Sequence, residues 1–539
     1  MKSDFITMST TNTFLKKIKF IEERLKTFIS THWGEFLVWI IVSLSTYGFE
    51  LLHVHINIDE EIAALRPTIN PAFITSGRWG LYVLSGTLLP KQIIPFVPLA
   101  LALCFQFIGI LLLLDCLNIQ SHIERILIVV IGLTWPGLAY SLSFSISNFA
   151  IGFGFLCISL SLFILVKARK ALKLLAALPA MLVFSIYQPL LQPLVMVFFL
   201  FALYRWKEER PGLVRFMISA GLTLGLGFVL YYAVQQIFLY AMATDSSNYV
   251  SHYFNIAGLF ENLGWYLQKL THLAYNIFVG DSSFYGIAIR SLPIFLLFAG
   301  ILILVTHYKH REKVGNYILF LSLLVIFTIL PFIGGILTKG YIPYRSLLGV
   351  PVFLMGWAAL ALKYARPSAK LALGILALFT LFQFASSANH LFASSAFAYE
   401  EDKLLAYQLV GRIEEEKART SSPQVQYLEM IGFVERPSTP LVSRIENIGA
   451  SFFGWDGGHS ERVVNFLRVL GYSSPEALPD NLRAEFVTRG MQMPVWPTPG
   501  SVLIDGNTLL VKFSPYSRTQ IEDICAGNNQ SALPEGFCP

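Results

Sequence analysis

The sequence predicts an all-α polytopic membrane protein that carries a soluble α/β domain in its C-terminal part. The first indication is composition: of the 539 residues, 55% are hydrophobic and only 14% are charged, whereas soluble proteins carry about 25% charged residues. The second is the distribution of charge. Residues 1–390 hold 28 Lys and Arg against 16 Asp and Glu, whereas residues 391–539 hold 12 against 18. We therefore expect a basic membrane body followed by an acidic soluble region.

Apolar segments of membrane-spanning length account for the all-α prediction. A bilayer core requires about 20 apolar residues in a helix, with a range of roughly 17–25. Eleven segments approach this length, although prolines interrupt the pair around Tyr187-Gln188-Pro189. The predicted transmembrane helices cover residues 36–54, 92–114, 125–142, 147–166, 171–187, 190–204, 213–236, 291–307, 316–335, 346–362 and 371–388.

Basic residues orient these helices. Placing the N-terminal tail (1–34) in the cytoplasm puts 21 of the 28 Lys and Arg of the membrane body on that side, as the positive-inside rule requires. We expect this tail not to be a cleaved signal peptide, because it is too long for an n-region. The predicted membrane body (35–388) then exposes loops 55–91 and 237–290 on the outer side, together with the C-terminal domain (389–539). The other seven basic residues fall on the outer side: Arg66, Arg78, Lys91, Lys269, Arg290, Lys339 and Arg345.

Alternating helical and strand patterns predict the α/β character of the C-terminal domain. Val502–Ile504 and Leu509–Phe513 flank Asp505-Gly506-Asn507, which is typical of a hairpin turn. Helices are expected at 396–418, 459–470 and 475–489, and a strand at Val425–Met430.

Two further features concern the outer side. In the long outer loop, the amphipathic pieces Tyr249–Phe260 and Trp265–Phe278 are expected to lie along the membrane interface. Cys525 and Cys538 lie close together in the polar tail and are expected to form a disulfide if that tail is in an oxidising compartment. The alternative is two unpaired cysteines. The other three cysteines lie in or beside apolar segments and are expected to pack there.

The first outer loop contains three consecutive carboxylates, Asp59, Glu60 and Glu61, between two apolar segments. Carboxylates next to a membrane are costly, and this cost favours a functional role. One of them would be suited to act as a general base. The alternative is a solvated helix start, since acidic residues suit the first turn of a helix.

Polar residues near the outer helix ends are candidates for substrate binding. Arg78 and Arg345 each lie near a helix end, and the planar guanidinium suits phosphate. The alternative is ordinary contact with lipid headgroups. Arg290 and Lys339 are weaker candidates for the same role. At an outward turn, Tyr187 and Gln188 are candidates to hydrogen-bond a sugar, the alternative being a capped turn.

Other kinds of site are less well supported. His53 and His55 precede the acidic run, but side chains two apart on a helix point to different faces, so we predict no metal site there. We find no nucleotide-binding motif, no metal-type Cys/His spacing and no nucleophile elbow, and we expect no nucleic-acid partner. An outward-facing enzyme would therefore have to receive its transferred group from a membrane carrier.

Five motifs occur in a recognisable order. Together they resemble the bacterial Gtr-type glucosyltransferases that modify lipopolysaccharide O-antigen during serotype conversion, a family similar in plan to the GT-C membrane glycosyltransferases. The resemblance spans nearly the whole chain, although each motif alone is weak. The motifs are Asp59-Glu60, Gly77-Arg78, Tyr187-Gln188-Pro189, Pro343-Tyr344-Arg345 and Met493-Pro494-Val495-Trp496-Pro497.

This resemblance implies a multi-pass enzyme of the bacterial inner membrane with a periplasmic active site. The donor would be undecaprenyl-phosphate glucose, which a flippase would supply, and the acceptor O-antigen or a related surface glycan. Asp59, or failing it Glu60, would be the base of an inverting transfer. The resemblance implies no cofactor, although a divalent ion on the acidic cluster is an alternative. The competing functions are an O-antigen polymerase or ligase and a polytopic transporter of lipid-linked glycans.

Overall fold

The structure is a computed structural model of the chain. It describes residues 30–89, 93–206, 210–247, 262–309, 314–338, 340–420, 425–473, 475–526, 533–534 and 536–538.

Helices dominate the membrane body. They are α1 (Trp33–Leu52), α2 (Glu60–Leu65), α3 (Ala72–Thr75), α4 (Trp79–Leu88), α5 (Val97–Leu117), α6 (His122–Thr134), α7 (Ala139–Leu142), α8 (Asn148–Lys167), α9 (Ala177–Ile186), α10 (Leu191–Tyr204), α11 (Arg210–Ala241), α12 (Leu263–Val279), α13 (Ser282–Tyr285), α14 (Ser291–Lys309), α15 (Val314–Ile329), α16 (Gly334–Leu337), α17 (Val350–Lys363) and α18 (Pro367–Thr420). Short 3₁₀ turns at Pro136–Leu138, Gln188–Leu190, Leu330–Phe332 and Tyr344–Ser346 separate several of them.

The apolar helices are those of a helical membrane protein. Within the described residues, six helices are long and apolar enough to cross a membrane, and α6 with its bent continuation to Leu142 would make a seventh. Each of the eleven predicted segments overlaps an apolar helix, but four of them coincide with apolar stretches of only 10–17 residues, namely Leu172–Ile186, Gln188–Tyr204, Ser291–Thr306 and Val350–Lys363. Prolines account for much of the shortening: Pro189 separates two of the four, and Pro351 lies at the start of another.

Hydrogen bonds and ion pairs define two opposite ends of this bundle. At one end, Arg125 binds Glu35 and Asp115 at 3.0 and 2.8 Å, and Lys370 binds Glu124 at 2.6 Å. These residues belong to the side that the sequence predicts to be cytoplasmic. The acidic loop and the Arg78 and Arg345 segments lie at the other end, where the contacts described below connect them.

Helix α18 differs from the prediction. We expected a membrane segment ending at 388 and a separate helix at 396–418, but one helix runs through both. Residues 389–395 contain neither Gly nor Pro, so nothing in them stops a helix. With 54 residues the helix is about 80 Å long, which greatly exceeds the ~30 Å of a bilayer core. It therefore connects the membrane body directly to the C-terminal region.

A small mixed sheet organises the C-terminal region. Its strands are β1 (Tyr427–Ile431), β2 (Glu476–Ala477), β3 (Val502–Asp505) and β4 (Thr508–Lys512), in the spatial order β2-β1-β4-β3. β1 is parallel to both neighbours, and β3 and β4 form the predicted antiparallel hairpin. The helices are α19 (Ser460–Val469), α20 (Asp480–Arg483), α21 (Val487–Gln492) and α22 (Arg518–Ala526).

Three further predictions concern a helix and a disulfide of this region and the amphipathic pieces of the outer loop. The helix expected at 475–489 starts later, because residues 476–477 pair with β1 as a strand. Helix α12 covers the whole of the predicted Trp265–Phe278 piece, whereas Tyr249–Phe260 lies outside the described residues. Cys525 and Cys538 are joined in a disulfide with their Cα atoms 5.9 Å apart.

The acidic loop is anchored in the core of the C-terminal region. Ile56 and Ile58, just before the carboxylates, are buried in one apolar cluster with residues of α18, β1 and α19, among them Leu405, Met430 and Phe466. Burial of side chains of this size stabilises by about 1.5–3 kcal/mol each. The loop is therefore fixed against the C-terminal region as well as against the membrane body.

Candidate active site

The three carboxylates of the first outer loop differ in their exposure to solvent. Asp59 adopts a left-handed conformation (φ 72°) immediately before α2. The side chain of Asp59 is 44% exposed, whereas Glu60 and Glu61 are fully buried. The acidic run is thus not a solvated helix start, since two of its three members lie away from solvent.

Glu60 is held by backbone donors. Its two carboxylate oxygens accept hydrogen bonds from the N–H groups of Asn57 at 2.9 Å and Ile146 at 3.2 Å. In the part of the chain that the structure describes, no basic side chain lies within ion-pair distance of it. Burial raises the pKa of Glu60 to about 7, and the backbone donors only partly oppose this effect. A carboxylate with such a pKa is suited to accept a proton at neutral pH.

Asp59 and Glu61 share a partner from the C-terminal region. Arg462 of α19 donates to Asp59 and to Glu61, each at 2.8 Å, and also binds Asp456. Burial raises the pKa of Glu61, while the charge of Arg462 opposes the rise. Arg462 therefore offsets part of the negative charge of these two carboxylates, whereas Glu60 between them has no such partner among the described residues.

Arg78 lies in a polar cluster with Tyr187 and Gln188, three residues that the sequence analysis names as separate candidates for substrate binding. Its Nε donates to Gln188 Oε1 at 3.3 Å, and its guanidinium lies 5.1 Å from the centre of the Tyr187 ring. Gln188 in turn donates to the carbonyl of Ser76. The preceding Gly77 has a φ of +78°, and a Cβ there would lie 2.5 Å from the hydroxyl oxygen of Tyr231. The Gly-Arg pair thus requires glycine for steric reasons.

Arg345 lies beside the same cluster. The hydroxyl of Tyr187 is 3.3 Å from that of Ser346, the next residue after Arg345. The guanidinium of Arg345 lies 5.5 Å from the centre of the Phe144 ring, and its carbonyl accepts a hydrogen bond from Ser141 at 2.6 Å. Two arginines from distant parts of the chain are therefore connected through one tyrosine.

The segment 139–147 joins these arginines to the acidic loop. Ile146 donates to Glu60, and the carbonyl of Ser143 accepts a hydrogen bond from the Asn57 side chain at 2.6 Å. The same segment supplies Ser141 and Phe144 to Arg345. Glu60, Arg345 and, through Tyr187, Arg78 thus surround one region at the outer end of the bundle.

A turn of the C-terminal region completes this arrangement, and sequence reasoning missed it. Ile445 and Ile448 pair as a single bridge, and Glu446 between them has a left-handed φ of 51°. Glu446 accepts a hydrogen bond from the N–H of Tyr344 at 2.7 Å, and burial raises its pKa to about 7. Asn447 donates to the carbonyl of Tyr140 at 3.1 Å. A non-glycine residue held in this strained conformation is common at functional sites.

The remaining candidate residues lie apart from this region or outside the described residues. Arg290 is exposed, and among the described residues no hydrogen bond or ion pair joins it to the cluster. Lys339 lies outside the described residues. His53 stacks on Phe49, and His55 is buried 3.8 Å from Glu50. Throughout the described ranges, no group of three or more His, Cys, Asp or Glu side chains is arranged to hold a metal ion.

A comparison with protein families places much of the chain in a known family. A family model described as glucosyl transferase GtrII matches residues 48–362, which is more than half of the chain. The matched range contains the acidic loop, Arg78, Tyr187 and Arg345, and it ends before α18. No curated protein and no solved structure gives a significant match.

Proposed function

Because the chain belongs to the glucosyl transferase GtrII family, we propose that it moves glucose from undecaprenyl-phosphate glucose to a hydroxyl of O-antigen or a related surface glycan. The reaction takes place at the periplasmic side of the bacterial inner membrane and inverts the anomeric configuration. The observation that carries the proposal is the buried carboxylate of Glu60, which shares one segment, 139–147, with a candidate phosphate-binding arginine, Arg345.

Glu60 serves as the general base in this proposal. It accepts the proton of the acceptor hydroxyl while that oxygen forms a bond to C1 of glucose. The bond between C1 and the phosphate oxygen breaks on the opposite face, and undecaprenyl phosphate leaves with the electron pair. What supports Glu60 over Asp59 is that Asp59 is paired with Arg462, whereas Glu60 has a raised pKa and no cationic partner among the described residues.

Arg78 and Arg345 bind the donor phosphate. Negative charge grows on the phosphate as it leaves, and positive groups placed in advance stabilise the transition state more than the ground state. The cluster around Arg78 supports this role, because Tyr187 and Gln188 fix the guanidinium before any donor arrives. Tyr187 and Gln188 also offer hydrogen bonds to the sugar.

The test of function is the composition of the surface polysaccharide. Bacteria that carry the intact chain are expected to show one additional hexose per polysaccharide repeat, by mass spectrometry, relative to the same strain lacking it. A strain with Glu60→Gln at equal membrane abundance serves as the control and should lack the hexose. A change in chain length without a change in repeat mass would instead identify a polymerase.

The orientation is tested by fusions to the C-terminus. We expect alkaline phosphatase at this position to be active and a fluorescent protein that matures only in the cytoplasm to remain dark. The reason is that 21 of 28 basic residues of the membrane body fall on the side assigned to the cytoplasm. The opposite pattern would place the acidic loop in the cytoplasm and contradict a periplasmic donor.

A further inference from the structure

One arginine of the C-terminal region reaches into the acidic loop. Arg462, whose side chain is 15% exposed, makes ion pairs with Asp59 and Glu61 at 2.8 Å and with Asp456 at 3.0 Å. Its two partners in the acidic loop are about 400 residues away in sequence, and they flank Glu60. Arginine suits this task because its fork can engage several oxygens and keeps its charge when buried.

Apolar packing already fixes the loop in place. Ile56 and Ile58 are buried in the core of the C-terminal region, as described above. Helix α19 also packs along α2. The position of the loop thus has an anchor that does not depend on Arg462, and the distinctive contribution of this arginine is its charge.

The charges around Glu60 are mostly negative. Burial lowers the pKa of His55 to about 4, so His55 is neutral at pH 7. The segment 143–146, which donates to Glu60, carries no titratable side chain. Among the described residues, Arg462 is the basic group that pairs with the carboxylates flanking Glu60. The titratable and charged groups around the acidic loop are Glu50, His55, Asp59, Glu61, Asp456 and Arg462, and Arg345 lies beside the segment that donates to Glu60.

We propose that Arg462 is a positioning residue for glucosyl transfer: its positive charge offsets part of the negative charge of Asp59 and Glu61, which flank Glu60, and so allows Glu60 to be the ionised carboxylate that accepts the proton. The inference rests on the function proposed above. It extends the active site beyond the matched family region, since the C-terminal domain then controls the charge of the base.

The experiment is the pH dependence of kcat/KM in proteoliposomes with undecaprenyl-phosphate glucose and lipid-linked O-antigen. In Arg462→Gln, two uncompensated carboxylates disfavour ionisation of Glu60. We expect the acid limb of the profile to move to higher pH by about one unit, which corresponds to roughly a tenfold loss below the midpoint. At alkaline pH the rate should approach that of the wild type.

Three further variants separate charge from structure. Arg462→Lys keeps the charge and should leave the acid limb close to that of the wild type. Adding Glu61→Gln to Arg462→Gln removes one negative charge and should move the limb back. Arg468→Gln is the matched control, because Arg468 lies on the same helix and donates to the carbonyl of Pro475 instead.

The outcomes distinguish this inference from the proposed function. If Arg462→Gln lowers the rate without moving the acid limb, its role is merely structural and the inference is overturned. Should Arg462→Gln fail to fold, Glu61→Gln alone provides the test: it removes one of the two negative charges beside Glu60 and keeps Arg462, so the acid limb should move to lower pH, and an unmoved limb there also overturns the inference. Full activity of Glu60→Gln would refute the proposed base itself.

Discussion

Replacing Glu60 by glutamine is expected to lower the turnover of glucosyl transfer by about 10²–10⁴-fold, the usual contribution of a positioned general base. Glutamine keeps the shape of the side chain, and its amide oxygen can still accept one of the hydrogen bonds from Asn57 and Ile146. It cannot accept the proton of the acceptor hydroxyl. Donor binding and membrane abundance should therefore change little, so the loss should appear in kcat.

The pH profile gives a second signature of the same residue. Glu60 is active only when ionised, and burial raises its pKa to about 7. The rate of the wild type should therefore rise with pH through about 7 and become constant above it. Asp59→Asn is the matched control and should have a mild effect, since Asp59 is 44% exposed and bound to Arg462. A large loss in Asp59→Asn with normal transfer by Glu60→Gln would reverse the assignment.

Replacing Arg78 by lysine should weaken donor use although the charge remains. Lysine cannot reproduce the planar fork, and it would lose both the hydrogen bond to Gln188 and the stacking on Tyr187. Hydrogen bonds to charged groups contribute about 1.5–3 kcal/mol, so we expect kcat/KM for the lipid donor to fall by roughly 10- to 150-fold. Titration of undecaprenyl-phosphate glucose in proteoliposomes measures this change.

Arg66→Lys is the control for the arginine prediction. Arg66 is exposed and lies in the same loop, on the same side of the membrane by the proposed orientation. A residue that only contacts lipid headgroups should tolerate the exchange, because lysine also reaches the headgroup region. Equal behaviour of Arg78→Lys and Arg66→Lys would show that Arg78 is a residue of that kind.

The sequence was sufficient where the signal is local. Hydropathy identified the apolar helices, because about twenty residues of one character are visible in a single window. The hairpin at 502–512 was predicted because Asp505-Gly506-Asn507 has the composition of its turn. The cluster of Arg78, Tyr187 and Gln188 was named residue by residue, although that the three are in contact was visible only in the structure.

Long-range partners could not be predicted in this way. Arg462 and Glu446 lie in unremarkable sequence, and their significance comes from residues hundreds of positions away. The sequence favours Asp59 as the base for the same reason. It does not show that Asp59 is paired with Arg462 and that Glu60 is buried.

The unbroken helix α18 makes the last membrane span and the C-terminal region one mechanical unit. Phe384 on its inner part is buried in the core of the membrane body, and Leu405 on its outer part is buried in the core around the sheet. Helix α18 is about 80 Å long. A tilt of a few degrees therefore displaces its outer end by several ångströms. The tilt of a membrane helix responds to bilayer thickness. A change in the lipid bilayer therefore acts, through α18, on the contact between Arg462 and the acidic loop.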